Sequence, residues 1–428
     1  MTNWSGLIEV TVKIRIIAGL SALAAAAALT SCSSGSSSDE GDGPQKITVW
    51  IMKDSVTDDF LARFTKAFEK DHPQLDLDIQ IQEWNGIGEK VTAALASNDA
   101  PDVIEVGNTQ VAQYSASGGV KDLSDKVEEL KGSDWLPGLA EPGKIDGKQY
   151  GIPWYAANRV VIYHKDHFAK AGVKEPPKTR DEWIEVTEKL NSDKVQGIYL
   201  PGQNWYTLAG FVWEDGGDLA VHTQGPWKGS LDTPEALRGM EFYKKLQALG
   251  KGPKDSDEAE PPQAEVFAKG DVAQVIAVPG GAKIIEQANP ELAGKLGFFP
   301  VPGNTAGKPG ATFTGGSDLI VPEASAHQDA AYEVIEALAG DTWQSDMAKT
   351  MSYVPNRTSL ASVIQDNEGT AAMAAAAAEG RATPNSPQWA AVEAANPIKE
   401  YMTAVLTGQD MAKAAKKASE SITKTLNS

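Results

Sequence analysis

Tryptophan stands among carboxamides at three places in this chain: Trp84-Asn85, Trp154-Tyr155 with Asn158, and Gln203-Asn204-Trp205-Tyr206. An indole offers a flat apolar face, and an amide beside it offers a planar donor and acceptor. Side by side they suit a ligand that has C–H groups on a ring face and hydroxyls along its edge. The chain carries 11 Trp, so some can serve a ligand and others a core; Trp135, Trp183 and Trp343 are read as core. Bond-making chemistry finds less support. Cleaving a glycosidic bond needs two carboxylates about 5 to 9.5 Å apart, and among 58 Asp and Glu no motif nominates such a pair. Glu83, Glu105 and Glu214 are candidate pocket acids that would bond hydroxyls. His164-Lys165-Asp166-His167 lacks the HExxH spacing and a third ligand, and there is no P-loop, GxSxG elbow or GxGxxG. No metal and no cofactor are expected.

The only cysteine, Cys32, ends an apolar stretch in Leu29-Thr30-Ser31-Cys32. Lys13 and Arg15 precede the stretch from Ile16 to Leu29, and a Ser/Gly/Asp-rich segment follows, which is the anatomy of an export signal. The cysteine makes it resemble a lipoprotein signal, in which the thiol becomes the new amino terminus and takes up lipid. Residues 1–31 are thus expected to be a signal peptide and 32–45 a flexible linker, with the protein held on the extracellular face of the cytoplasmic membrane through Cys32. About 400 residues remain, enough for two or three cores without disulfides. The net charge of −19 disfavours nucleic acid, which calls for a clustered basic surface. The acidic run Asp255 to Glu260 lacks the ligand spacing of a calcium loop.

The aromatic and amide residues need a scaffold, and periodicity supplies one. Ile47 to Ile51 reads as a buried strand, Asp58 to Lys70 as an amphipathic helix, Leu75 to Ile81 as an alternating strand, Ile87 to Ser97 as a helix, and Val103 to Val106 as a third strand. Strands alternating with helices imply a parallel sheet with helices on both faces. Ligands in such sheets sit beyond the carboxyl ends of the strands, here at Met52 to Ser55, Glu83 to Asn85 and Gly107 to Gln110. Further strands are expected at Arg159 to Tyr163, Gly197 to Leu200 and Asp318 to Val321, with helix from Ala326 to Ala339 and an Ala-rich helical tail interrupted at Thr383 to Gln388.

In order along the chain, the lipobox, the first strand Ile-Thr-Val-Trp, Ala67-Phe68-Glu69-Lys70, Ala100-Pro101-Asp102-Val103, Tyr114 with Ser117-Gly118-Gly119, Tyr150-Gly151-Ile152-Pro153 and Tyr163-His164-Lys165-Asp166 resemble the extracellular solute-binding proteins of carbohydrate ABC transporters. Glu83-Trp84-Asn85-Gly86-Ile87, Gly107-Asn108-Thr109-Gln110 and Ile198 to Tyr206 are most similar to the actinobacterial members that bind N,N′-diacetylchitobiose. The resemblance implies a two-lobed α/β fold of the maltose-binding-protein type, with a hinge and an interlobe cleft. Lobe one would comprise residues 46–152 and 317–352, lobe two residues 155–314 and 355–428, with hinge material at the Gly/Pro breaks near 151–153 and 314–316. Adjacency to amides puts Trp84, Asn85, Trp154 and Asn158 in the expected ligand-binding set; the resemblance implies Asn108, Thr109, Gln110, Asn204, Trp205 and Tyr206, with Asn356 and Trp389 in the tail loops, and Gly280 and Ser317 complete the set. Ala277-Val278-Pro279-Gly280-Gly281 stands where many relatives carry a Trp that stacks on the sugar, so one platform is missing or replaced. Arg357 is read as a lobe-stabilising ion pair. The role implied is a monomeric, non-enzymatic receptor that closes on an oligosaccharide and delivers it to ABC permease subunits. Cello- or malto-oligosaccharide is the alternative cargo, and an extracellular carbohydrate-active enzyme the alternative class.

Overall fold

Three apolar stretches form the parallel half of the principal sheet. Strands β1 (Gln45–Met52), β2 (Leu75–Gln82) and β3 (Val103–Gly107) pair in the order β2-β1-β3, with Ile47 opposite Leu77 and Val49 opposite Val103. These observations come from a computed structural model that describes residues 43–428 apart from 54, 85, 224, 365 and 366. The segment expected to be a signal, Cys32, most of the expected linker and Asn85 lie outside the described residues, and Pro44–Ser428 forms one compact unit. Helix α1 (Asp58–Asp71) starts where the Thr57 side chain accepts from the Phe60 N–H, with Asp58 and Asp59 complementing the helix dipole. It buries Phe60, Phe64 and Phe68, one stripe at fourfold spacing, and Trp343 packs edge-on against the first two. Burying each such ring contributes about 1.5–3 kcal/mol. Helix α2 (Ile87–Leu95) buries Ile87, Val91 and Leu95.

The sheet is mixed, not wholly parallel as the β-α-β-α-β pattern predicts. Strand β4 (Ile152–Asn158), strand β5 (Val160–His164), which enters a second sheet, and the long strand β8 (Thr312–Ile320) carry the chain across the molecule. Strand β8 lies between β3 and β4, antiparallel to both. The second sheet has β5 at its centre, antiparallel to β6 (Gln274–Ala277) and β7 (Leu296–Pro300). One core gathers Ile47, Phe64, Trp154, Ile335 and Met347 around the principal sheet. Another gathers Trp183, Phe211, Tyr243, Tyr401 and Ile422 beneath the second. Residues 197–200 make only isolated bridges, to Gly250 and Val275, where a strand is predicted.

The Gly/Pro break predicted near 314–316 is instead the interior of β8. Gly315 pairs with Ala157 and Gly316 with Ala156, followed by a bulge between Ser317 and Asp318. Gly316 has φ +147°, and a Cβ there would lie 2.1 Å from the Tyr155 carbonyl oxygen. The glycine therefore permits close strand approach rather than a turn. Likewise 152–153 begins β4 and is paired there.

Candidate functional site

The carboxyl ends of β1, β2 and β3 open on a cavity of about 510 Å³. Lys53 and Ser55 follow β1, Trp84 follows β2, and Gly107 through Gln110 follow β3, so one wall comes from the three loops singled out by the strand-end rule. The crossing strands supply the floor, with Tyr155, Ala157, Phe313, Gly315, Gly316 and Ser317. Arg159, Tyr206, Val278, Tyr353 and Glu393 complete the lining.

A buried acid organises the floor. Glu105, fully inaccessible in β3, accepts from the Met52 N–H at 2.8 Å on one oxygen, and from Ser55 Oγ at 2.7 Å and the Tyr155 hydroxyl at 3.1 Å on the other. Ser317 Oγ donates to the Tyr155 oxygen at 3.1 Å. Burial pushes the Glu105 carboxyl up against the opposing pull of these donors, and burial with the nearby carboxyl pushes the Tyr155 phenol well up. Ser55, Tyr155 and Ser317 thus present fixed hydroxyls, and the Tyr155 ring stacks on Tyr353 at 4.2 Å with planes 7° apart. Such preorganised hydroxyls and stacked rings match a polyhydroxylated ligand.

The rim is aromatic and charged. Trp84 is 44% exposed, with its indole N–H donating to the Lys53 carbonyl at 3.2 Å, so the ring edge is fixed and its surface free. Tyr206 stacks on Phe313 at 4.5 Å, and the Arg159 guanidinium sits 4.6 Å above the Tyr206 ring while pairing with Glu258. Thr109 Oγ1 donates to Glu393 at 3.2 Å and Asn108 donates to the Thr314 carbonyl at 2.9 Å.

Of the residues expected to bind ligand, Trp84, Asn108, Thr109, Gln110, Tyr206 and Ser317 line the cavity. The others do not. Trp154 is wholly buried in the core of the principal sheet, because neighbours on a strand face opposite sides and Tyr155 takes the cavity side. Trp205, 4% exposed, packs with Tyr206 and Trp389 in the second core, since its position opens helix α3 (Trp205–Glu214) on the inward face. Trp389, fully buried, opens α4 (Trp389–Ala395) and donates to Glu393 at 2.8 Å. Asn204 caps α3, accepting from the Thr207 N–H. Asn158 ties the crossing strands by donating toward Thr312 and Thr314. Asn356 donates to the Pro153 carbonyl at 2.9 Å from a fully buried position. Gly280 precedes the helix Gly281–Ala288, and Val278 is the nearby residue that reaches the cavity. Arg357 pairs with Asp341. Trp135 and Trp183 are buried and Trp343 packs against the first core.

Sequence reasoning missed Tyr155, Arg159, Phe313 and Glu393 as lining residues. Strand alternation around Trp154 was the available signal for Tyr155; nothing local marks Glu393. Among the described residues no group of three or more His, Cys, Asp or Glu is placed to hold a metal ion, and no helix is long and apolar enough to cross a membrane.

The family model for bacterial extracellular solute-binding protein matches residues 53–345. The diacetylchitobiose binding protein DasA of Streptomyces coelicolor is 40% identical over 425 residues, 97% of this chain and 99% of that protein. Among solved structures, the GacH receptor of Streptomyces glaucescens, known unliganded and with acarbose, matches with a TM-score of 0.79 at 25% identity, over 90% of this chain and 98% of that one. The sugar-binding protein MalE of Xanthomonas citri gives 0.79 at 23% identity, over 89% and 97%. The two sheets with their separate cores are therefore the two-lobed α/β fold of maltose-binding-protein-like receptors, with the cavity between crossing strands and loop ends as its cleft. By family model and by identity along nearly its whole length, the chain belongs to the bacterial extracellular solute-binding proteins.

Proposed function

We propose that this protein captures N,N′-diacetylchitobiose or a related chito-oligosaccharide in the described cavity and hands it to an ABC permease. The observation that carries the reading is the 40% identity to DasA over 97% of the chain. The cavity supports it physically: about 510 Å³ falls in the range of roughly 300–1,000 Å³ for small-molecule sites. Its lining combines the Trp84 and Tyr206 rings with the amides of Asn108 and Gln110 and the hydroxyls of Ser55 and Ser317. Lobe boundaries follow the sequence reading, residues 46–152 with 317–352 against 155–314 with 355–428. A ligand bridging Trp84 and Tyr206 would favour the closed form through its extra contacts there. Attachment through a lipid on Cys32, a monomeric state and the absence of catalysis complete the proposal.

Calorimetric titration with N,N′-diacetylchitobiose, cellobiose and maltose tests it. Saturable binding strongest for the acetylated sugar is expected. Preference for maltose, or release of monosaccharide on prolonged incubation, would replace the reading with a malto-oligosaccharide receptor or an enzyme.

A further inference from the structure

Three charged side chains line the cavity: Lys53, Arg159 and Glu393. The cations are already matched, Lys53 Nζ to Glu83 at 2.9 Å and Arg159 Nη2 to Glu258 at 2.5 Å. Glu393 has no such match; among the described residues no Lys, Arg or His pairs with it. Its oxygens accept from two uncharged donors, the Trp389 indole at 2.8 Å and the Thr109 hydroxyl at 3.2 Å. Each oxygen keeps a further lone pair. The two donors, one from its own helix α4 and one from the loop after β3, fix the carboxyl at the edge of the open cavity. The groups around it are the Tyr206 phenol, raised mainly by burial, and Arg159 with Glu258 about that ring. Burial pushes the Glu393 carboxyl up to about 7, the response of an anion without a counter-charge.

We propose that Glu393 forms a subsite for a protonated amine, so that the cleft accepts chito-oligosaccharides with one free amino group in addition to fully N-acetylated ones. An ammonium there would supply the missing counter-charge through charge-assisted hydrogen bonds, which a neutral acetamido group cannot do. The inference rests on the chito-oligosaccharide reading given above.

The test uses the whole protein, N,N′-diacetylchitobiose and its singly deacetylated counterpart, titrated at about pH 6 in two buffers of different ionisation heat. One unit below its midpoint a carboxyl is roughly nine-tenths protonated, so binding the amine-bearing sugar is expected to release close to one proton and the acetylated sugar none. Glu393→Gln is expected to lower the affinity ratio of amine-bearing to acetylated sugar at least about tenfold. Equal proton release for the two sugars, or a ratio within threefold of the wild-type value, overturns the proposal. The proton count needs no variant, so a misfolded Glu393→Gln cannot hide the answer. Binding of the acetylated sugar alone removes only the amine subsite, whereas binding of neither removes the chito-oligosaccharide reading with it.

Discussion

Trp84 and Trp205 both stand beside amides in the sequence, yet their surroundings predict opposite consequences for Trp→Ala. Trp84 is 44% exposed at the cavity mouth, and the polar contact it loses is the 3.2 Å hydrogen bond to the Lys53 carbonyl. An exposed hydrogen bond contributes about 0.5–1.5 kcal/mol, so Trp84→Ala should cost about 1 kcal/mol of stability. An aromatic platform covered by ligand commonly costs about 2 kcal/mol or more on truncation, which is roughly thirtyfold in affinity. Trp205 is 4% exposed and packed against Tyr206, Phe313 and Trp389. Truncating a core Trp costs about 3–5 kcal/mol, so Trp205→Ala should unfold at markedly lower urea. Calorimetry for affinity and urea titration for stability, run on both variants, separate the two cases. If Trp84→Ala binds within threefold of wild type, or Trp205→Ala melts normally while losing affinity, the assignment of platform and core is reversed.

Gly316→Ala places a methyl 2.1 Å from the Tyr155 oxygen at φ +147° and should cost about 2 kcal/mol or more, read as a lowered urea midpoint; an unchanged midpoint would mean that the crossing strands separate without penalty. Asp318 is fully buried with both carboxyl oxygens unpartnered among the described residues, and burial holds its carboxyl well above the ordinary range. A folded-state pKa raised above the unfolded one means that stability is lost as pH rises through that window, so Asp318→Asn should raise the urea midpoint at pH 8 and by less at pH 4; a gain independent of pH would point to packing instead. Cys32→Ser should leave the protein soluble in the medium or unprocessed, and metabolic lipid labelling that persists in the variant would contradict the anchor.

Local pattern located much of the scaffold. The alternation in Leu75 to Ile81, the Phe60, Phe64 and Phe68 stripe and the short apolar run at Val103 to Val106 each became the expected element. The loops after β1, β2 and β3 became one wall of the cavity because strand ends converge in a sheet whatever their side chains are. Failures arose where a residue's role depends on distant chain. Glycines at 315 and 316 suggest a turn until strand β4 is known to lie against them. Trp154, Trp205 and Trp389 share the composition of a sugar platform, but strand parity and helix facing put each in a core. Glu393 is tied to the loop after β3 by Thr109, 284 residues away in sequence.

Strand β8 also sets an order of events in time. It fills the place between β3 and β4, so its neighbours Gly107 and Ala157 must wait for Ser317 and Gly315 before the principal sheet can close. A chain emerging from its amino terminus therefore keeps two unpaired strand edges until most of its length is available. Such distant pairings slow folding, because loop closure is costly before contacts form. The principal sheet therefore locks only after the chain is present as far as Ile320.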